Sequence, residues 1–145
     1  MSPAISIIDD DQYVCEILKR SFINSVPNIN IETFTDYIDF LNNYKNNKQD
    51  IVILDYDLGN TTALDLVQYI EAINPDVTIF ILSGYLDHEG EFCIPKPFDI
   101  NSLPIKIIKK HKEYKDENIK KMMMLDAILM FIDNRIKNRQ LKQTC

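Results

Sequence analysis

Ile51-Val52-Ile53-Leu54-Asp55-Tyr56-Asp57-Leu58-Gly59 is the stretch whose reading decides the fold. Four apolar residues, mostly β-branched, stop at a carboxylate. A short apolar run of this kind, bounded by turn signals, reads as a strand buried on both faces. Asp55 then stands at the C-terminal edge of a sheet. In open α/β sheets that edge is where ligands bind. An Asp after a strand also caps turns and helices, so Asp55 alone leaves both readings open.

The neighbouring segments repeat the pattern. Ala4 to Ile8 reads as a first buried strand and ends in Asp9, Asp10 and Asp11. Val14, Ile17, Leu18 and Phe22 follow at helical spacing, with Asp11 at the helix N-terminus. Pro27-Asn28 breaks the chain before Ile29, Ile31 and Thr33 alternate as a second strand. Thr35 is placed to cap a helix with Tyr37, Ile38, Leu41 and Tyr44 on one face. After the third strand, Thr61 or Thr62 caps a helix with Leu64, Val67 and Ile70 inward. Val77 to Leu82 reads as a fourth strand ending at Ser83-Gly84. Phe92 to Ile94 is a short fifth strand before Pro95-Lys96-Pro97-Phe98, and helical spacing resumes with Leu103, Ile107 and Ile108. Strands alternating with helices imply βαβ units and a parallel sheet, whose strands all end on one edge. Asp9, Asp10, Asp55, Ser83 and Lys96 are therefore expected to converge.

That set has a chemistry. Two carboxylates from one strand end and one from another make a hard-oxygen site suited to Mg²⁺. Without a cation the carboxylates repel and one pKa rises. The Ser83 hydroxyl and the Lys96 ammonium suit oxygens of a phosphoryl group. Asp55, alone on the central strand, is the candidate nucleophile.

Ile-Ile-Asp-Asp-Asp (7–11), Ile-Leu-Asp-Tyr-Asp-Leu-Gly (53–59), Ile-Leu-Ser-Gly (81–84) and Lys-Pro-Phe (96–98) together resemble the receiver domain of two-component response regulators, over about residues 4 to 110. The resemblance implies a flavodoxin-like (βα)5 fold, a doubly wound parallel sheet of order 2-1-3-4-5. It implies that Asp55 accepts a phosphoryl group from the phosphohistidine of a histidine kinase or phosphotransfer protein, in a Mg²⁺-dependent reaction. Asp9 and Asp10 match the acidic pair that holds the metal with Asp55, and the backbone carbonyl of Asp57 is a further implied ligand. Ser83 matches the switch hydroxyl and Lys96 the conserved-type lysine, with a cis Lys96-Pro97 bond.

The departures from that pattern matter as much. Only twelve residues separate Ser83 from Lys96. With the fifth strand removed, eight are left, reaching at most about 28 Å when extended, against roughly 17 Å for the strand to be retraced. A fourth helix is therefore expected to be short or absent. Pro95 suits an edge strand. The family's switch aromatic is replaced by Cys93, with Phe92 one place away and so expected on the opposite side. Gly59 stands where the family often has proline, and Asp57 is an acidic residue two after the acceptor, placed to tune hydrolysis or simply solvated.

Beyond the fold, residues 116 to 140 carry Met122, Leu125, Leu129, Ile132 and Ile136 at alternating three- and four-residue spacing, a heptad-like seam. Met124, Ile128 and Phe131 widen it. Lys109, Lys110, Lys112 and Lys115 before it read as a solvated connector. The expected organisation is a receiver domain over 1–113 and a C-terminal helical extension over 114–145. That extra helix either folds back over the sheet face left by the short fourth helix or pairs two chains into a C2 dimer, the favoured placement.

Composition narrows the rest. The chain has 145 residues, enough for one domain with a core, and a formal net charge of −6. An acidic chain without a broad basic face argues against direct DNA binding. Three cysteines, Cys15, Cys93 and Cys145, lack metal-ligand spacing and fit a reducing cytoplasm. His88 and His111 read as surface residues. No apolar run approaches a membrane span. The expected function is a stand-alone receiver, a phosphoacceptor rather than an enzyme, controlling a protein partner or its own self-association through a non-standard output face. The alternatives are a phosphorylation-independent scaffold with the same fold, and a metal-dependent phosphatase or phosphotransferase using Asp57 as acid/base.

Overall fold

A computed structural model of the chain describes residues 2–85 and 92–143. Five strands, β1 (Ala4–Ile8), β2 (Asn30–Phe34), β3 (Ile51–Asp55), β4 (Thr78–Ser83) and β5 (Cys93–Pro95), form one sheet in the order β2-β1-β3-β4-β5. All neighbours pair in parallel. The parallel sheet is the one the strand pattern predicts, and its order is the flavodoxin-like one that the family resemblance implies. Asp55 belongs to β3 itself and pairs with Leu82, while Ser83 pairs with Pro95. This register brings the ends of β1, β3, β4 and β5 to one edge.

Alternation along the central strand divides the core. Ile51 and Ile53 face a cluster with Ile5, Ile7, Phe80 and Leu82, covered by Cys15, Leu18 and Phe22 of α1 (Gln12–Ser25). Val52 and Leu54 face a second cluster with Ile8, Phe40, Tyr44, Leu66 and Ile70, from α2 (Tyr37–Tyr44) and α3 (Ala63–Ile73). A strand buried on both faces has no room for a polar residue until its end, which is why the first polar residue of β3 marks the site.

The helices form where expected and turn most of the expected residues inward: Leu18, Phe22, Tyr44 and Ile70 are buried, and Val14, Tyr37, Leu41 and Val67 pack against the clusters, while one expected position in each helix is exposed. In α1, Cys15 is buried and Ile17 is exposed. In α2, Phe40 rather than Ile38 is buried, and the N-cap is Asp36, accepting from the Ile38 N–H, in place of Thr35. In α3, Ala63 and Leu66 go inward and Leu64 outward. Thr62 is the α3 N-cap, in a capping box with Asp65. Asp11 caps α1 by accepting from the Tyr13 N–H.

Strand β5 is a three-residue edge strand, one position later than the sequence pattern suggests. Phe92 packs into the first core cluster, edge-on to Phe80, and Cys93 into the second, so the two occupy opposite faces as expected. Among the described residues no helix lies between β4 and β5. The expectation of a shortened fourth helix falls on residues 86–91, which lie outside the described residues, as do His88 and Cys145.

The last helix, α4 (Leu103–Gln143), runs unbroken for 41 residues. Lys109 to Lys115 are helical, not a connector. Charge had suggested a linker, but Lys and Glu are good helix formers and nothing in the run breaks a helix. The chain divides into two compact units, Met1–Ile108 and Lys109–Cys145. The first contains the sheet and both clusters. In the second, Asp133 and Lys137 pair one turn apart and the Arg135 guanidinium lies over the Phe131 ring. No helix of the described residues is long and apolar enough to cross a membrane.

Candidate phosphoacceptor and metal site

Two strand ends supply the three carboxylates. Asp9 follows β1, where its N–H donates to the Phe34 carbonyl and anchors the turn to β2. Its side chain is buried, and its Oδ1 accepts from the Asp11 N–H at 2.9 Å. Asp10 is exposed beside it. Asp55, buried at the end of β3, completes the group. Asp9, Asp10 and Asp55 each offer an oxygen within 4.8 Å of the others. Burial, and then the charges of Asp55 and Asp10, push Asp9 up to about 6, against the opposing pull of the Asp11 amide and Lys96.

An octahedral Mg²⁺ at about 2.1 Å from each ligand keeps its oxygens within roughly 4.2 Å of one another. The three carboxylates are close enough for side-chain movement to bring them onto one ion. The donors are all hard oxygens, and Asp10 opens one side to water. The residues present therefore fit a magnesium-type cation.

Lys96 reaches the group from the segment after β5. Its N–H donates to the Ser83 carbonyl, and its ammonium pairs with Asp55 Oδ1. The Lys96-Pro97 peptide bond is cis. Ser83, the buried last residue of β4, accepts the Tyr85 N–H on its Oγ at 3.1 Å. Asp55, Lys96, Asp9 and Asp10 are thus brought together as the sequence indicates, with Ser83 at the end of the strand that pairs with Asp55.

The loop after β3 is held by its own backbone. The Tyr56 N–H donates to Leu82, Ala63 to Tyr56 and Leu58 to Thr61. Asp57 turns its side chain to the Gly59 N–H at 3.1 Å. Gly59 has φ +82°, a conformation closed to proline and costly for any residue with a Cβ. The glycine at a position where proline is frequent thus reflects a different turn. One feature escaped the sequence reading. Tyr56 and Tyr85, one residue after Asp55 and two after Ser83, meet edge-to-face with ring centroids 5.2 Å apart. Aromatic residues at both positions were the available signal.

The family model for the response regulator receiver domain matches residues 5–109. Response regulator MprA of Mycobacterium tuberculosis is 26% identical over 112 residues, 71% of this chain and 48% of that protein. The Mycobacterium bovis protein of the same name matches to the same extent. This chain spans about half the length of these curated relatives. Among solved structures, a CheY-like receiver domain protein of Methanospirillum hungatei superposes with a TM-score of 0.71 at 20% identity, over 81% of this chain and 99% of that one. The BeF3-activated receiver domain of DrrB gives 0.66 at 21% identity, over 78% and 99%.

Proposed function

Because the chain belongs to the response regulator receiver domain family, we propose that Asp55 is its phosphoacceptor, taking a phosphoryl group from a phosphohistidine of a histidine kinase or phosphotransfer protein. The observation that carries this reading is the meeting of Asp55 with Lys96 and with Asp9 and Asp10 at one sheet edge. A carboxylate oxygen of Asp55 attacks phosphorus in line with the imidazole nitrogen. The P–N bond breaks as the P–O bond forms, and the electron pair leaves with the imidazole. Asp9, Asp10 and Asp55, with the backbone carbonyl of Asp57, would hold Mg²⁺, which would supply neutralisation of the charge on the phosphoryl oxygens.

The chain's own groups do the rest. Lys96, now paired with Asp55 Oδ1, follows the negative charge onto a phosphoryl oxygen as that carboxylate becomes an acyl phosphate. Ser83 turns its hydroxyl to another phosphoryl oxygen, since a hydroxyl can donate while its Oγ acts as acceptor towards the Tyr85 N–H. Water later attacks phosphorus and restores the carboxylate. Asp57 spends its side chain on Gly59, which speaks against an acid/base role in small-molecule phosphatase chemistry. The protein is a signalling phosphoacceptor whose only reactions are its own phosphorylation and dephosphorylation. Output runs to a protein partner or to self-association through α4, without direct DNA contact. Cys93 in place of the switch aromatic supports such a route. A cytoplasmic location goes with the kinase partner and with the free thiols of Cys15 and Cys93.

The test is incubation of the full chain with Mg²⁺ and acetyl phosphate, read by intact mass. The expected result is one hydroxylamine-labile phosphoryl adduct that Asp55→Ala abolishes. An unmodified wild type, or an adduct that persists in Asp55→Ala, overturns the reading and favours a phosphorylation-independent scaffold.

A further inference from the structure

The second half of α4 carries an apolar seam with nothing polar to interrupt it. Met122, Leu125, Leu129, Ile132 and Ile136 are 66, 57, 55, 47 and 50% exposed. Water contact along five successive seam positions is costly, and sustained three-four spacing is what a second helix reads as knobs for its holes. The seam alone does not choose a partner. The charges beside it do.

With Met122, Leu129 and Ile136 at a positions and Leu125 and Ile132 at d, Lys121 falls at g and Asp126 at the following e. In a parallel, in-register pair, g of one helix faces the next e of its partner. Each Lys121 then meets the Asp126 of the other copy, twice by symmetry. An antiparallel pair can also align the apolar stretch, with Met122 opposite Ile132 and Leu125 opposite Leu129. That register sets Asp126 against Asp126 and Lys121 against Arg135. Shifting it so that Leu125 meets Ile136 sets Asp126 against Asp133 and Lys121 against Lys142. Both antiparallel registers place like charges together, while the parallel one joins opposite charges.

We propose that α4 is an interface for a second copy of this chain, which it pairs in parallel and in register along Met122–Ile136. This rests on the reading of α4 as an assembly element and not on phosphorylation of Asp55. The interface is isologous, each seam residue meeting its own counterpart.

Light scattering after size exclusion, on the full chain at micromolar concentration, is the first measurement. The expected mass is twice the chain's 16.9 kDa. Lys121→Glu is expected to raise the dissociation constant roughly tenfold, as two symmetry-related pairs turn from attraction to repulsion. Adding Asp126→Lys to it restores association. Circular dichroism checks that the helix persists in each variant. Cross-linking supplies an independent reading, since Ile132→Cys, in a chain with Cys93→Ser and Cys145→Ser, forms a disulfide with itself only where the two positions 132 adjoin. A mass of 16.9 kDa for the wild type overturns the proposal. So does tighter association of Lys121→Glu, which marks antiparallel pairing with Arg135, or an unchanged mass in Leu129→Glu. These outcomes leave the acetyl phosphate result on Asp55 untouched, so the two readings fail separately.

Discussion

Asp9 is buried beside two other carboxylates, and its pKa of about 6 stands well above the ordinary 3.8. The folded protein therefore keeps this proton between those values while the unfolded chain releases it. Stability contributed at this position falls as pH rises through that window and stays low above it, by about 3 kcal/mol in the cation-free protein. A divalent cation reverses the sign of the local field, so Mg²⁺ is expected to raise the melting temperature more at pH 7 than at pH 5. Asp9→Asn should raise the metal-free melting temperature at pH 7 and remove most of the Mg²⁺ increment. Thermal melts at the two pH values check both. Asp9, Asp10, Asp55, Ser83 and Lys96 could be read from the sequence because each ends or follows a strand, where the apolar run must stop. The bond from the Asp11 amide to Asp9 and the positive φ of Gly59 could not, since both depend on turn geometry that residue type leaves open.

At the scale of elements, the strands were legible, and the helix faces were legible but for one position in each of α1, α2 and α3. A strand of a covered parallel sheet is apolar throughout, so its identity is its composition. A helix with apolar residues on several sides gives more than one plausible face. Ile17, Ile38 and Leu64 were expected inward and are each more than half exposed, while Cys15, Phe40 and Leu66 hold the core contacts. Exposure of a single apolar residue costs little and is common, so periodicity does not choose among near-equal stripes. The N-terminus of α2 shows the same limit, because Thr35 and Asp36 are both cap formers in adjacent positions. Asp36 makes the bond to Ile38. Asp36→Ala is expected to cost about 1 kcal/mol and Thr35→Ala a few tenths at most, measured by urea denaturation.

For the whole molecule, the division after Ile108 separates a sheet with two core clusters from a helix segment with exposed apolar side chains. The first unit holds every residue of the candidate site. A chain ending at Tyr114 is therefore expected to unfold cooperatively and to accept phosphate at Asp55 at close to the full chain's rate, while failing to self-associate. Denaturation, intact mass and light scattering test the three parts. Failure to fold would show that the receiver unit needs the longer helix. The heptad spacing of 122–136 was plain in the sequence, but the continuity of α4 through Lys109–Lys115 was not, because charge density resembles a linker and only backbone propensity distinguishes the two.

The exposed methionines of α4 give the helix a susceptibility of its own. Met122, Met123, Met124 and Met130 are each about two-thirds exposed. Peroxide converts such thioethers to sulfoxides, which are polar and chiral, and reductases reverse the change. Of the four, only Met122 lies on the seam between copies. Pairing would shield it and leave Met123 and Met130 open to oxidant. A sulfoxide at Met122, formed while the chains are apart, would put a polar group into the first apolar layer and hold them apart. An oxidising cell would then keep the chains unpaired through Met122, with no change at Asp55.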